Sequence, residues 1–336
     1  MLLTLSEFAA YLSRCREEKF PRLFVLGHAA PDGDAVISSL FEGWRLTLQG
    51  ELAVPVVQAD ALPREVAWLL GSSAPLVLTA AEADMTHPDS RFVLTDHHHD
   101  PLRQRQVVAV VDHHPPATDL TGVDVCIRPV GATTTLVAQQ LEQQGYTFDD
   151  GVARLLLGGV LLDTDGLSPR KATAEDLTLA QRLSALCGEP TTAFYDTLQA
   201  QLLSETDVAV LYRRDYRTYF DRNGVPLLGF AILKVWDTTL PSLAEIRRLL
   251  AADLRDSGCV ACVAKVMPYT ADGGRGQQVC LAAGEGGDLV LTALCQMEGA
   301  GAERTAPDTL LIPPTCPQWG RKRYAAHLLP LLEKEA

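Results

Sequence analysis

The sequence predicts an α/β protein: a mostly parallel, doubly wound sheet over residues 1–190, then a smaller α/β domain over 206–336, with 191–205 as the boundary and an active site in the cleft between. Three observations predict it. Short continuous apolar runs alternate with helical patterns in the first half, and such runs belong to strands covered on both faces of a parallel sheet. Several of those runs end on an acidic residue. After about residue 206 the texture changes to a hairpin signal, two helices and a strand pair.

The elements follow in order. Leu5, Phe8, Ala9, Leu12 and Cys15 recur at helical spacing, with Ser6 as the expected cap. The strands expected next are "RLFVLG" (22–27), "LAVPVV" (52–57), "PLVLT" (75–79), "FVLTD" (92–96), "VVAVVD" (107–112) and "VDVCIRP" (123–129). Helices are expected over 34–48, 131–144, 151–163 and 173–187. Thr173 with Asp176 three residues on reads as a variant capping box for the last of these. A helical stretch over about 190–210 leads into "RRDYRTYFDRNGVPLLGFAIL", a hairpin turning at Asn223-Gly224. A helix over 242–256, the strand pair "CVACVAKVMPY" and "GQQVCLAAG", and a basic helix "GRKRYAAHLLPLLEKEA" complete the chain.

Composition narrows the function. Hydrophobic content of 47% and charged content of 21% over 336 residues suit a globular protein with a substantial core. No apolar run reaches the ~18 residues needed to span a bilayer, and the N-terminus lacks the order of a signal peptide, so a cytoplasmic protein without membrane attachment is expected. A net charge of −13 argues against a general nucleic-acid binder. It leaves room for a phosphorylated substrate where the site is locally cationic. Of the eight cysteines only Cys259 and Cys262 form a C-x-x-C pair, in a strand-like apolar run with no second pair, so buried free thiols are expected rather than zinc.

The chemistry sits at the ends of the apolar runs. "GHAAPDGDA" places His28, Asp32 and Asp34 behind the first strand, in residues that also make good turns and helix caps. "FVLTDHHHD" delivers Asp96, "VVAVVDHHPP" delivers Asp112, His113 and His114, and "LLLGGVLLDTDG" delivers Asp163 and Asp165. In a parallel sheet the C-terminal strand ends share one edge, where ligands bind. Carboxylates gathered in one crevice repel one another. Divalent cations are the simplest compensation, and a mixture of carboxylate and imidazole suits Mn²⁺, Co²⁺ or Mg²⁺.

"HAAPDGDA", "TDHHH", "VVDHHPP" and "LLDTDGLSPRKAT" resemble, in order, the four motifs of DHH-superfamily phosphoesterases. "RRDYRTYF…NGVPLLGFAIL" and "GRKRYAAHLLP" resemble the second type of DHH-associated C-terminal domain, found in family II inorganic pyrophosphatases, cytosolic exopolyphosphatases and prune-like proteins. The G-G-G-H signature of the nuclease-type C-terminal domain is absent. "VGATTTLV" and "RLLLGGVLLDTDGLSPRKATAEDLTLAQRL" are more prune- and exopolyphosphatase-like, whereas His28 is a pyrophosphatase-like feature.

The resemblance implies two divalent ions. His28, Asp32 and Asp96 would hold one; Asp34, Asp96, His113 and Asp163 would hold the other, with Asp96 bridging. It also implies that Asp112 orients His113 through its imidazole N–H. His114 is the candidate general acid at the bridging or leaving oxygen. Arg217 stands where the family has a phosphate-binding lysine, and Arg321 and Lys322 match the family's R-K pair, so all three are expected to bind substrate. The expected activity is exopolyphosphatase action on short inorganic polyphosphate, with a manganese-dependent inorganic pyrophosphatase as the alternative. A nucleotide phosphodiesterase and a non-catalytic, prune-like partner-binding protein rank lower. Oligomeric state is left open.

Overall fold

A computed structural model describes residues 1–19, 21–100, 103–115, 120–299, 301–316 and 319–334. The chain divides into two compact units, Met1–Leu202 and Leu203–Ala336. Much of the expected linker 191–205 is helical.

In the first unit the elements run β1 (Leu2–Leu3), α1 (Leu5–Glu17), β2 (Leu23–Leu26), α2 (Gly33–Leu48), β3 (Ala53–Val57), α3 (Arg64–Leu70), β4 (Leu78–Thr79), β5 (Arg91–Thr95), β6 (Val107–Asp112), β7 (Asp124–Ile127), α4 (Thr133–Gln143), β8 (Thr147–Phe148), α5 (Asp150–Asp163), α6 (Ala174–Cys187) and α7 (Thr191–Leu203). The main sheet is six-stranded, in the order β4-β3-β2-β5-β6-β7, and every pairing in it is parallel. Strand order reverses between β2 and β5, which makes their C-terminal ends the point where a ligand crevice forms.

Burial follows the apolar runs. All four residues of β2 and all five of β3 are buried, as continuous strands of a covered parallel sheet should be. Phe24, Leu26, Val54, Val56, Phe92 and Leu94 join the main core with α2, α4 and α5, while Leu23, Val25, Ala53 and Val93 form a small cluster of their own. Helix α2 is buried over most of its length. Its start packs so closely on β2 that a Cβ on Gly27 would stand 2.6 Å from the Ala35 carbonyl oxygen.

The local expectations differ from the structure in four places. Thr4, not Ser6, caps α1, because Thr4 and Glu7 complete a reciprocal capping box. The strand expected over 75–79 shrinks to Leu78–Thr79, because Pro75 lies inside a 3₁₀ turn over Gly71–Leu76. The short helix α3 follows Pro63 without a side-chain cap and leaves little sequence signal. The helical stretch over 190–210 is two helices, the second started by Asp207, whose carboxylate accepts from the amides of Ala209 and Val210. The Thr173–Asp176 capping box forms as expected.

The second unit contains α8 (Val208–Asp215), β9 (Arg217–Phe220), β10 (Pro226–Trp236), α9 (Leu243–Ser257), β11 (Ala261–Tyr269), β12 (Gln278–Ala283), α10 (Gly287–Glu298), β13 (Glu303–Ala306), β14 (Thr309–Ile312) and α11 (Arg321–Leu332). Its six-stranded sheet has the order β13-β14-β12-β11-β10-β9, with β10 and β11 parallel and the other pairs antiparallel. The β9–β10 hairpin turns at Asn223-Gly224, where Gly224 takes φ +81° and Asp221 accepts from the amides of Asn223 and Val225. Alternate residues of β10 and β11 feed two cores. Leu228, Phe230, Ala261 and Val263 pack on α10 and α11, and Ala231, Leu233, Cys262 and Ala264 pack on α8 and α9. Lys265 breaks this pattern: its ammonium is fully buried, 2.9 Å from Glu298. All eight cysteines are free, and Cys259 and Cys262 are buried. Among the described residues no helix is long and apolar enough to cross a membrane.

Candidate metal centre

The site is built at the C-terminal edge of the first sheet. β2 runs into Gly27 and His28, and the turn that follows ends at Asp32, the N-cap of α2. Both readings of this turn hold together. Asp32 Oδ1 accepts from the Ala35 amide at 3.0 Å, while Oδ2 faces His28 Nε2 at 3.6 Å. Asp34 is two residues into the same helix and fully buried. At the end of β5, the Asp96 amide still donates to Val111 O at 3.0 Å. Its φ of +62° then turns the chain left-handed, a conformation that Asp tolerates better than most residues. β6 delivers Asp112 and the two histidines after it, and the C-terminus of α5 delivers Asp163.

These side chains converge. His28, Asp32 and Asp96 offer donor atoms within 4.8 Å of one another, and so do Asp34, His113 and Asp163. Asp96 belongs to the first group and also to a third, with His113 and His114: its Oδ2 lies 3.4 Å from His28 Nε2 and its Oδ1 lies 3.3 Å from His113 Nε2. His113 Nε2 is 3.4 Å from Asp163 Oδ2. A charge-assisted hydrogen bond would close to about 2.7–2.9 Å. Donors around an ion with bonds of about 2.1 Å stand roughly 3.0–3.4 Å apart along octahedral and tetrahedral edges. The three spacings made by Asp96 and His113 fall in that range, and the His28–Asp32 spacing of 3.6 Å is slightly longer. The donor set of carboxylates and imidazoles fits divalent cations.

Charge in the cluster is balanced locally. Burial, then Asp96 and Asp163, push the Asp34 pKa well above the usual carboxylate range. Both Asp34 oxygens accept amides from the N-terminus of α4, Thr133 N at 2.6 Å and Thr134 N at 2.8 Å, where the helix dipole favours a negative charge. Burial, with Asp32 and Asp96 adding to it, lifts Asp163 to about 6 against the pull of Lys171 and His113. Burial pulls His28 and His113 down, but the neighbouring carboxylates outweigh it: Asp32 and Asp96 lift His28 to about 10, and Asp96, Asp34 and Asp163 lift His113 to about 10. Asp96 itself is pushed up by burial and pulled further down by His113 and His28, so it ends below its ordinary value.

One expected contact is corrected. Asp112 does not orient His113, whose Nδ1 instead meets Val130 O at 2.9 Å. Asp112 holds His114, through its backbone amide at 3.0 Å and Nδ1 at 2.9 Å, and also His98 Nδ1 at 2.6 Å. The backbone turn after β6 sends His113 away from its neighbour's carboxylate and folds His114 back over it. Burial pushes the Asp112 pKa up, but the bonds from His114 and His98 bring it down to about 2. His114 keeps Nε2 for other partners, and its side chain is 36% exposed.

Two of the three substrate residues expected in the second unit, Arg321 and Arg217, act on one carboxylate, Asp215. Arg321, the first residue of α11, pairs with Asp215 Oδ1 at 2.5 Å and donates to the Tyr219 hydroxyl at 3.0 Å. Burial raises the Asp215 pKa, and Arg321, Lys234 and Arg217 oppose the rise. Lys322 is exposed on α11. The sequence reading missed Asp215 and Lys234, and in the first unit it missed His98, Thr133, Thr134 and Lys171's contact to the Asp163 carbonyl at 2.7 Å. The T-T-T run after Gly131 was the available signal, since hydroxyl residues at a helix start supply amides and hydroxyls to an anion.

No protein-family model matches the chain. It is 28% identical over 246 residues to a manganese-dependent inorganic pyrophosphatase of Methanothrix thermoacetophila, covering 69% of this chain and 76% of the relative. It is 32% identical over 177 residues to a Streptococcus equi protein assigned as a manganese-dependent inorganic pyrophosphatase, covering 50% of this chain and 56% of the relative. The match thus spans about half the length of the streptococcal relatives. The crystal structure of a Methanococcus jannaschii protein assigned to the family II inorganic pyrophosphatases superposes with a TM-score of 0.68 at 20% identity, over 92% of this chain and 98% of that one. The chain therefore shares the fold of that protein and is similar in sequence to manganese-dependent inorganic pyrophosphatases.

Proposed function

We propose that the protein is a divalent-metal-dependent phosphoanhydride hydrolase acting on inorganic pyrophosphate and short polyphosphate. The observation that carries this reading is Asp96, whose two oxygens face two separate ligand groups. His28, Asp32 and Asp96 would hold one ion, and Asp34, Asp96, His113 and Asp163 the other. Ions held there supply Lewis-acid polarisation of phosphoryl oxygens and make water a nucleophile near neutral pH. Phosphoryl transfer asks the protein mainly for positioning and charge neutralisation. His114, fixed by Asp112 through Nδ1, passes a proton from Nε2 to the departing phosphate oxygen. Arg217, Arg321 and Lys322 bind the non-reacting phosphate oxygens, and Arg321 is already oriented by Asp215 and Tyr219, so little side-chain entropy is lost on binding.

The named relatives are pyrophosphatases, which supports pyrophosphate at least as strongly as longer chains. The second reading, exopolyphosphatase action, is supported by the "VGATTTLV" and "RLLLGGVLLDTDGLSPRKATAEDLTLAQRL" stretches. Phosphate release from pyrophosphate, tripolyphosphate and long polyphosphate, side by side with Mn²⁺, Mg²⁺ and Co²⁺, tests both. Metal-dependent release from pyrophosphate or tripolyphosphate is expected. No release from any of the three with any ion would overturn the proposal.

A further inference from the structure

Asp176 lies in neither ligand group, yet it is fully buried and accepts four hydrogen bonds. Its Oδ2 takes the Thr173 amide at 2.7 Å, the Thr173 hydroxyl at 2.6 Å and the Gly131 amide at 2.7 Å. Its Oδ1 takes the Thr135 hydroxyl at 2.6 Å. A capping box needs only the Thr173 bonds. The other two reach across to the loop and first turn of α4. That same turn gives the Thr133 and Thr134 amides to Asp34, and the Thr133 hydroxyl to Asp96 Oδ1 at 3.2 Å.

The junction has no slack. A Cβ on Gly131 would stand 2.7 Å from Asp176 Oδ2, 2.8 Å from Thr164 Cγ2 and 2.9 Å from the Lys171 carbonyl oxygen. Thr164 and Lys171 belong to the segment that begins at Asp163. Asp176 therefore ties the segment carrying Asp163 to the helix end that fixes Asp34.

We propose that Asp176 is a positioning residue for the metal centre: acting through the N-terminus of α4, it sets Asp34 against His113 and Asp163. It touches neither ion nor substrate. The proposal rests on the two-ion reading of the site, and it places the effect on the ion held by Asp34 and not on the ion held by His28 and Asp32. Groups that orient metal ligands typically change metal affinity 10- to 100-fold when lost.

The test is a Mn²⁺ titration of the full chain, read by the electron paramagnetic resonance signal of free Mn²⁺ and by calorimetry. The wild type tests the two-ion reading by itself; fewer than two ions bound would overturn that reading. Asp176→Asn keeps the size but turns one acceptor into a donor facing donors. It is expected to bind its tighter or looser first-group ion within about twofold of wild type and to weaken the Asp34-group ion about 10- to 100-fold, with the two resolved by comparison with His28→Gln. Thr173→Ala removes the cap hydroxyl and leaves the Gly131 and Thr135 bonds; it is expected to lower the melting temperature while both affinities stay at wild-type values. If Asp176→Asn does not fold, Thr135→Val, which removes one bond to Asp176 at constant volume, carries the test with an expected weakening of at least about threefold. Two ions in the wild type and unchanged affinities in the folded Asp176 variant, or in Thr135→Val where that is the variant that folds, would overturn the proposal. So would an equal loss in Thr173→Ala, because the effect would then belong to the helix cap.

Discussion

Replacing Asp96 by Asn removes a carboxylate whose two oxygens face His28 and His113 while keeping the side chain's volume and its tolerance of left-handed backbone at φ +62°. Alanine at the same place would add about 1–2 kcal/mol of backbone cost and confuse the result. The folded state loses the opposite charge that His28 Nε2 at 3.4 Å and His113 Nε2 at 3.3 Å now face. It also loses repulsion of Asp96 with Asp34 and Asp163. These terms oppose each other, so the metal-free variant should melt within a few degrees of wild type. Activity should not survive. A charge-assisted contact is worth roughly 1.5–3 kcal/mol; on the proposed two-ion reading Asp96 would give one to each ion, so the expected loss is about 3–6 kcal/mol, or roughly 10²- to 10⁴-fold at 1.36 kcal/mol per decade. The assay is phosphate release from pyrophosphate and tripolyphosphate at saturating Mn²⁺, beside a Mn²⁺ count and a melting curve. A folded Asp96→Asn chain that keeps activity within tenfold of wild type would refute the shared-carboxylate model.

Three further outcomes follow from the same geometry. His28 and His113, lifted to about 10 in the fold against 6.5 for the free side chain, contribute stability that is complete below about pH 6.5 and is lost as pH rises through 10; the metal-free melting temperature should fall between pH 7 and 10, and a pH-independent melting temperature there would contradict the charge balance described. His114→Gln should lower kcat about 10²- to 10⁴-fold with KM little changed, and Asp112→Asn should lower kcat less, because His114 then loses only its anchor; steady-state kinetics showing His114→Gln within threefold of wild type would remove it from the mechanism. The Cys259→Ser, Cys262→Ser double variant should keep metal-dependent activity and lose some stability, since both thiols are buried; loss of activity at unchanged melting temperature would show a functional role for the pair.

His28, Asp96 and His113 were brought to one edge because they follow strands whose C-terminal ends a parallel sheet aligns. Asp32 and Asp34 join them from the start of α2, and Asp163 from the end of an apolar run that is helix α5, which strand alignment alone does not place. The partner of each imidazole was not legible. Asp112 stands next to His113 in sequence but bonds His114 and His98, and only the backbone path after β6 decides that. Thr133 and Thr134 act through main-chain amides, which no residue type announces. Asp215, the last residue of α8, meets Arg321 and accepts from Ile232 N of β10 at 3.1 Å, with the charge of Lys234 two residues further along β10 acting on it, a docking of helix end on strand that side-chain patterning leaves open. The shortening of the 75–79 strand turned on Pro75 entering a 3₁₀ turn, where local backbone chemistry overrode an apolar run.

The centre also shows why a cluster of this charge can sit in a folded chain before any ion arrives. Asp32 is held by the start of α2, Asp34 by the start of α4, and Asp112 by two imidazoles. For Asp32 one oxygen is fixed by the Ala35 amide and the other faces the site, whereas both oxygens of Asp34 and of Asp112 are held by amides or ring nitrogens. Helix N-termini suit this task because their amides have no partner within the helix and carry partial positive charge. A binding site assembled from loops alone would have to order those carboxylates against their mutual repulsion at the moment an ion binds. Here the strands and helix ends have done so in folding, and on the proposed reading the histidines whose pKa the carboxylates raise would be the groups to release protons as an ion is taken up.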